Sequence, residues 1–179
     1  MEYSWLAAYT NPRAEKKVYQ LLLDKQIETY LPLVRRLKQW SDRKKWVEEP
    51  LIRSYIFVKI SEKEYFEVLN TPGLVRFITF EGKAAAIPEN QIDTLRKLLS
   101  TDTEVEVIDT PPEVGSEITI SKGSLLGLKG ELIDYKQRNR VVVKLEHVGK
   151  SLLINVPLSH IEVIHKGKGE NLEEKYWDN

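Results

Sequence analysis

Glu49-Pro50-Leu51-Ile52-Arg53-Ser54-Tyr55-Ile56-Phe57-Val58 is the stretch that decides the fold. It is a turn running into a buried strand. Pro50 stands where no ladder N–H is needed, and Ile56 and Val58 then alternate with Tyr55 and Phe57. The strand predicted over 55–60 is the centre of the first half. Downstream, Ser61 with Glu64 is a capping-box signature opening a short helix through Phe66 and Leu69. Thr71-Pro72-Gly73 turns the chain into a second strand signal over 74–80. Pro88 starts a helix whose Ile92, Leu95 and Leu99 are expected to face inward.

Upstream, Trp5 to Tyr9 is a short apolar strand. Asn11 is suited to cap a helix with Pro12 at its first position, and Ala14, Val18, Leu21 and Leu22 recur at helical spacing. A strand is predicted over 29–34, and the polar region 35–49 as an extended loop or protruding hairpin. The order βαββαβα fits an α+β sandwich, one antiparallel sheet with helices packed on it.

The second half is β-rich. Strands are predicted over 117–120, 131–135, 140–145, 152–156 and 161–164. Five short strands in so little chain suggest a small barrel. Between the halves, residues 100–113 are acidic and end in Pro111-Pro112, the composition of an extended linker. The expected organisation is a first domain over 1–99, a linker over 100–113, a barrel over 114–164 and a disordered polar tail over 165–179.

The chain has 179 residues, no cysteine, and 27 basic against 27 acidic side chains. Disulfide frameworks and thiol chemistry are excluded. No apolar run approaches the roughly 20 residues of a membrane span, and Met1 to Trp5 lacks a signal-peptide pattern. A cytoplasmic location is the expectation. The zero net charge hides an asymmetry, because residues 1–100 carry 17 Lys and Arg against 13 Asp and Glu, and residues 101–179 carry 10 against 14. Different partners for the two halves follow from it.

No catalytic constellation is present. His147, His160 and His165 have no partner at metal-ligand spacing, and Gly123, Gly127 and Gly130 fit neither a P-loop nor a dinucleotide fingerprint. The expectation is a non-enzyme with no metal and no cofactor. The densest functional signal is basic and aromatic: Arg35, Arg36, Lys38, Trp40, Arg43, Lys44, Lys45 and Trp46, with Asp42 the one acid among them. Cations neutralise phosphates, and tryptophan stacks on unpaired bases. Arg13, Lys16 and Lys17, at the start of the first helix, extend the same candidate surface. A solvated hairpin with its tryptophans packed down is the alternative.

Three pieces carry a family resemblance: Pro50-Leu51 through Tyr55, Phe57 and Val58; Thr71-Pro72-Gly73 with Val75 and Phe77; and the segment from Lys122 to Gly130. In this order and spacing, over about residues 3–164, they resemble NusG-type transcription elongation and antitermination factors. The first half is similar to the family's NGN domain and the second to its KOW domain. Arg53-Ser54 stands where the housekeeping members usually have Pro-Gly, so the chain looks closest to the specialised UpxY-type antiterminators. Ser124 departs from the proline usual after the first KOW glycine.

The resemblance implies that Trp5, Tyr9, Ile52, Tyr55 and Phe57 surround an apolar groove for the clamp helices of RNA polymerase. The same residues also suit a core, Trp5 and Phe57 above all. It further implies that Gly123, Leu125, Leu128 and Gly130 mark the end of the barrel that docks a ribosomal protein or a termination factor. Non-template DNA or nascent RNA is a possible further partner; a monomer with no membrane contact is expected. A ribosome- or RNA-associated KOW-domain binding protein is the rival reading. It accounts for the second half but not the first.

Overall fold

The computed structural model describes residues 2–40, 42–80, 82–101, 103–109, 115–135, 138–145 and 148–165. The chain divides into two compact units, Met1–Leu99 and Ser100–Asn179.

The first unit is built on the strand β1 (Ser4–Thr10), the helix α1 (Glu15–Asp24), and the strands β2 (Glu28–Tyr30), β3 (Leu33–Gln39), β4 (Lys44–Pro50) and β5 (Tyr55–Ile60). The helix α2 (Tyr65–Leu69), strand β6 (Leu74–Phe77), short strands β7 (Thr79–Phe80), β8 (Lys83–Ala84) and β9 (Ala86–Ile87), and helix α3 (Glu89–Leu99) complete it. The main sheet runs β2-β5-β1-β6, all antiparallel, with β9 added beside β1. The central strands are apolar on both faces. On one face Leu6, Ala8, Ile56, Val58 and Ile60 join Val18 and Leu22 of α1, Val68 of α2, and Phe77 in one cluster. The other face carries Trp5, Ala7, Phe57 and Tyr55, which are also buried.

The expected strand over 29–34 is two strands in different sheets. Leu31 and Pro32 are buried between them, and β3 leaves the main sheet to pair with β4 alone, from Leu33↔Pro50 to Gln39↔Lys44. The strand expected over 74–80 likewise breaks at Ile78, after which Thr79–Phe80 pairs with Lys83–Ala84.

The expected helix cap also differs. Asn11 and Pro12 form a turn, Arg13 has φ +65°, and α1 begins at Glu15 without a side-chain cap from Asn11. Glu15 turns away from its own helix end. Its carboxylate is buried and accepts the Ser54 backbone N–H at 2.8 Å. Ser54 needs that support, because its φ is +62°, in the left-handed region that disfavours a side chain. The Ser61–Glu64 pairing forms, with the Glu64 carboxylate accepting from the Ser61 N–H at 2.9 Å and from its hydroxyl at 2.7 Å. In α3 the buried positions are Ile92, Leu95 and Leu98, not Leu99.

The second unit is one antiparallel sheet of six strands: β10 (Val105–Ile108), β11 (Ser116–Ile120), β12 (Lys129–Tyr135), β13 (Arg138–Leu145), β14 (Lys150–Ile154) and β15 (Ile161–His165), in the order β10-β14-β13-β12-β11-β15. Two expectations are corrected here. The sheet has six strands rather than five, and among the described residues no ladder joins β10 to β15, so the pairing path is open. The sixth strand lies inside the expected linker. Val105 and Val107 alternate with Glu104 and Glu106, and β10 pairs with β14 from Val105↔Ile154 to Ile108↔Ser151. The acids had masked a period of two.

The sheet centre is apolar on both sides. Val141 and Val143 share a face with Leu152 and Ile154, while Val142 packs with Ile133, Leu153 and Ile108 on the other. His165 ends β15, and the remainder of the expected tail, 166–179, lies outside the described residues, as do 102 and 110–113 of the expected linker and 114, the first residue of the expected barrel.

The strained serine gives a direct check by thermal unfolding. Ser54→Gly is expected to raise stability by ~0.5–1 kcal/mol, because glycine adopts this backbone freely. Glu15→Ala is expected to lower it by ~1–3 kcal/mol, since it strands the Ser54 N–H. A Ser54→Gly protein that melts below the parent would contradict the assigned strain.

Candidate functional site

Trp5, Phe57 and Tyr55 lie on the sheet face opposite α1 and α2, with Tyr9 at its end. The β1–β5 register sets Ala7 against Phe57 and Tyr9 against Tyr55. α3 reaches this face through charged side chains. Arg96 lies over both the Trp5 ring (5.4 Å) and the Tyr30 ring (5.3 Å), and Lys59 of β5 pairs with Glu89 of α3 at 3.0 Å. The Trp5 indole N–H, directed toward Glu89, and the Lys59 ammonium hold the Glu89 carboxyl below its ordinary range. The indole contact does not reach hydrogen-bond geometry, so Trp5 Nε1 stays buried without a partner.

At the far end of β1, the Tyr9 and Tyr55 rings stand 4.4 Å apart with their hydroxyls hydrogen-bonded, and the exposed Arg76 of β6 covers Tyr9 at 4.9 Å. Of the five residues singled out for a polymerase groove, Trp5, Ile52, Tyr55 and Phe57 are buried in the free chain and Tyr9 is half-buried. Ile52 is only 2% exposed, in the loop that enters β5. Arg76, which sequence reasoning did not single out, forms the open rim of this end. Its signal was available only through register, since Tyr9↔Arg76 pairing brings it over the ring.

The basic and aromatic residues gather on the β3–β4 ribbon. Arg35, Arg36, Leu37, Lys38, Gln39, Trp40, Arg43, Lys44, Lys45 and Trp46 are all exposed. The tryptophans are not packed down: Trp40 is 48% exposed and Trp46 58%. Each is covered instead by a guanidinium, Arg43 over Trp40 at 5.3 Å and Arg35 over Trp46 at 5.9 Å. The Lys16 ammonium donates to the Glu48 carbonyl at 2.8 Å, which ties the start of α1 to the ribbon. Arg13 and Lys17 are exposed nearby in sequence. Lys38 is paired with Glu49, and this ion pair holds the Glu49 carboxyl below its usual range.

In the second unit Gly123 has φ +82° in the loop before β12, and Leu125 and Leu128 point into the core. Leu126, between them, is 58% exposed. Gly130 is required by close approach, since a Cβ there would stand 2.6 Å from the Val142 carbonyl oxygen. Gly127, also at φ +82°, lets the loop turn back so that its N–H reaches the Ile120 carbonyl. Of the four residues singled out in this segment, then, two are core leucines and two are backbone devices.

The profile of the family described as "Transcription termination factor nusG" matches residues 3–96. The chain is 27% identical over 173 residues to the transcription termination/antitermination protein NusG of Rickettsia prowazekii, covering 88% of each chain. It is 23% identical over 172 residues to the corresponding Rickettsia bellii protein, again with 88% of each covered. In fold it is similar to a solved NusG structure from Thermotoga maritima, with a TM-score of 0.55 at 17% identity over 92% of this chain and 99% of that one. This chain belongs to the NusG family of transcription termination and antitermination factors. Among the described residues no helix is long and apolar enough to cross a membrane.

Two measurements separate the buried from the exposed aromatics. Trp40→Ala and Trp46→Ala are each expected to change stability by no more than ~0.5 kcal/mol, whereas Trp5→Ala should cost ~3–5 kcal/mol. Equal losses in denaturant unfolding would contradict the exposed placement of the ribbon rings.

Burial also pushes the Tyr30 hydroxyl from 10.0 up to about 12, with the Arg96 guanidinium drawing it part-way back. The fold favours the neutral phenol. Its contribution to stability is therefore complete below pH 10 and declines as pH rises from 10 to about 12. Phenolate absorbance should show a late-titrating component that Tyr30→Phe removes.

Proposed function

We propose that this chain is a transcription elongation and antitermination factor whose first unit grips RNA polymerase. The observation that carries the reading is the coincidence of the family match, residues 3–96, with the unit that contains the aromatic sheet face. The contact is assigned to the Tyr9–Tyr55–Arg76 end of that face and to the loop holding Ile52. There an apolar floor meets a cationic rim, the composition suited to a pair of clamp helices. Closure of these buried side chains in the free chain makes Tyr9 and Arg76 the first points of contact, with Ile52 and Tyr55 supporting them from beneath. Binding that favours the closed, processive polymerase is a population shift, with no bond made or broken.

The second unit, a six-stranded antiparallel sheet, is read as a KOW module. It recruits a second protein, a ribosomal protein or a termination factor, through the loop that exposes Leu126. Carriage on one chain raises that partner's effective concentration at the polymerase. The β3–β4 ribbon adds a contact to non-template DNA or nascent RNA. Arg53-Ser54 in place of Pro-Gly supports assignment to the specialised antiterminators of the UpxY type. A soluble protein acting as a monomer in the cytoplasm fits this role.

Retention on immobilised RNA polymerase is the direct test. The Tyr9→Ala, Arg76→Glu double variant is expected to bind at least tenfold more weakly, a loss of about 1.4 kcal/mol. Its folding is checked by its melting profile, and readthrough of a terminator on a run-off template should fall in parallel. A folded variant that is retained as well as the parent would sink the assignment. Retention of the parent on RNA but not on polymerase would favour the ribosome- or RNA-associated alternative.

A further inference from the structure

The ribbon register separates its side chains into two faces. Arg35, Leu37 and Gln39 stand with Lys44, Trp46 and Glu48 on one face, and Arg36 and Lys38 stand with Lys45 and Val47 on the other. The Trp40 N–H donates to the Arg43 carbonyl at 2.8 Å, which continues the pairing by one step. By alternation Trp40 and Arg43 fall on the second face. Each face therefore presents one exposed tryptophan with one arginine over its ring, and the two stations are displaced along the ribbon.

We propose that these are two base-stacking stations for a single unpaired nucleic-acid strand, which crosses the ribbon edge and engages both faces at once. The inference rests on the nucleic-acid reading of the ribbon and adds to it the class of strand and the manner of its binding. Charge complementarity selects a polyanion. Among the described residues no ion pair joins a carboxylate to Lys44 or Lys45; Lys38 and Arg36 both act on Glu49, which lies with Glu48 toward the ribbon base, and Asp42 is the one acid at the tip. The exposed rings select bases over phosphate alone. A duplex has already stacked its bases on one another and offers only edges and backbone. An acidic peptide would satisfy the cations and leave both indoles in water. An unpaired strand supplies a π face for each ring and a phosphate for each neighbouring cation. The arginine over each indole is placed to sandwich or hand over the base that arrives there.

Geometry fixes the length of strand required. From the Leu37–Trp46 pair to Trp40 is three residues, about 10 Å along the ribbon, and crossing its thickness adds about 10 Å more. At about 3.4 Å per stacked nucleotide the path takes about six nucleotides. A strand of about 12 nucleotides reaches both stations, and one of about four reaches only one.

The experiment is fluorescence anisotropy with labelled DNA and RNA oligonucleotides, using the full chain and no polymerase. On the 12-mer, Trp40→Ala and Trp46→Ala should each weaken binding about tenfold and the double variant about a hundredfold. On the 4-mer either single variant should lose no more than about twofold, because the remaining station serves, while the double variant loses the full effect. Trp→Phe should restore part of each loss. The matching duplex, and heparin as a base-free polyanion, should bind at least tenfold more weakly than the 12-mer and be indifferent to all three alanine variants. The proposal is overturned if duplex or heparin binds as tightly as the strand, or if the tryptophan variants bind the 12-mer like the parent. It is equally overturned if one tryptophan carries the whole effect at both lengths. The polymerase reading fails separately, since the Tyr9→Ala, Arg76→Glu variant keeps its oligonucleotide binding whether or not it loses polymerase.

Discussion

The antiparallel pairing of β1 with β5 is the constraint on which the first unit depends. These two strands are buried on both faces, so the sheet needs cover from two directions: α1 and α2 on one side, α3 on the other. Entry into β5 is the costly step. The chain arrives from the ribbon through Leu51 and Ile52 and must reverse at Ser54 in a left-handed conformation. A helix from the other end of the sequence supplies the remedy. Glu15, in the first turn of α1, spends its carboxylate on the Ser54 N–H instead of on its own helix. One buried hydrogen bond therefore joins the first helix, the loop before the central strand and the sheet register. Charge near a helix N-terminus is favourable for a carboxylate in any case, so the Glu15 position serves both ends of the contact.

This arrangement divides the aromatics by role. Trp5 and Phe57 are closed within the sheet face, with Arg96 of α3 over the Trp5 ring, while at the strand end Tyr9 stays half-buried above the buried Tyr55. Tyr9 and Tyr55 form such an end, with Arg76 over the outer ring. The ribbon is the extreme case: it belongs to neither layer, packs no core beyond its base, and is free to carry side chains that a core would reject. Cations and exposed indoles concentrate there for that reason. The second unit shows the opposite economy, with a small sheet that uses both faces, so that even the triplet Val141-Val142-Val143 is buried throughout.

Much of this was legible from residue pattern. The alternation at Tyr55–Ile60, the Ser61–Glu64 box and the proline before α3 marked their elements. The residues of the ribbon announced themselves by charge and tryptophan. What could not be read was whatever depends on partners distant in sequence. Nothing local shows that Glu15 would leave its helix for Ser54, or that Asn11 would yield its capping place to a turn. Val105–Ile108 resembled a linker because its outward positions are acids, and only pairing with Lys150–Ile154 makes it a strand. Leu125 and Leu128 were grouped with an exposed loop, yet the loop closes on itself through Gly127 and leaves Leu126 outside. At the candidate site, residue type picked out the aromatics, burial sorted them into enclosed and half-buried rings, and Arg76 entered only through strand register.

The distribution of charge follows from the same division. Balanced totals of 27 and 27 give no long-range attraction for a polyanion over the molecule as a whole. Any steering has to be local, and the ribbon is where locality is achieved: within the first unit it carries its tip cations beyond its own base acids Glu48 and Glu49 by several residues of extended strand. Screening then favours it further, since at physiological ionic strength charges more than about 8 Å apart scarcely interact. A ribbon extending beyond that distance acts as an independent cationic surface on a neutral protein. On the proposed reading, a neutral chain with a cationic ribbon holds a strand locally without being drawn to nucleic acid everywhere.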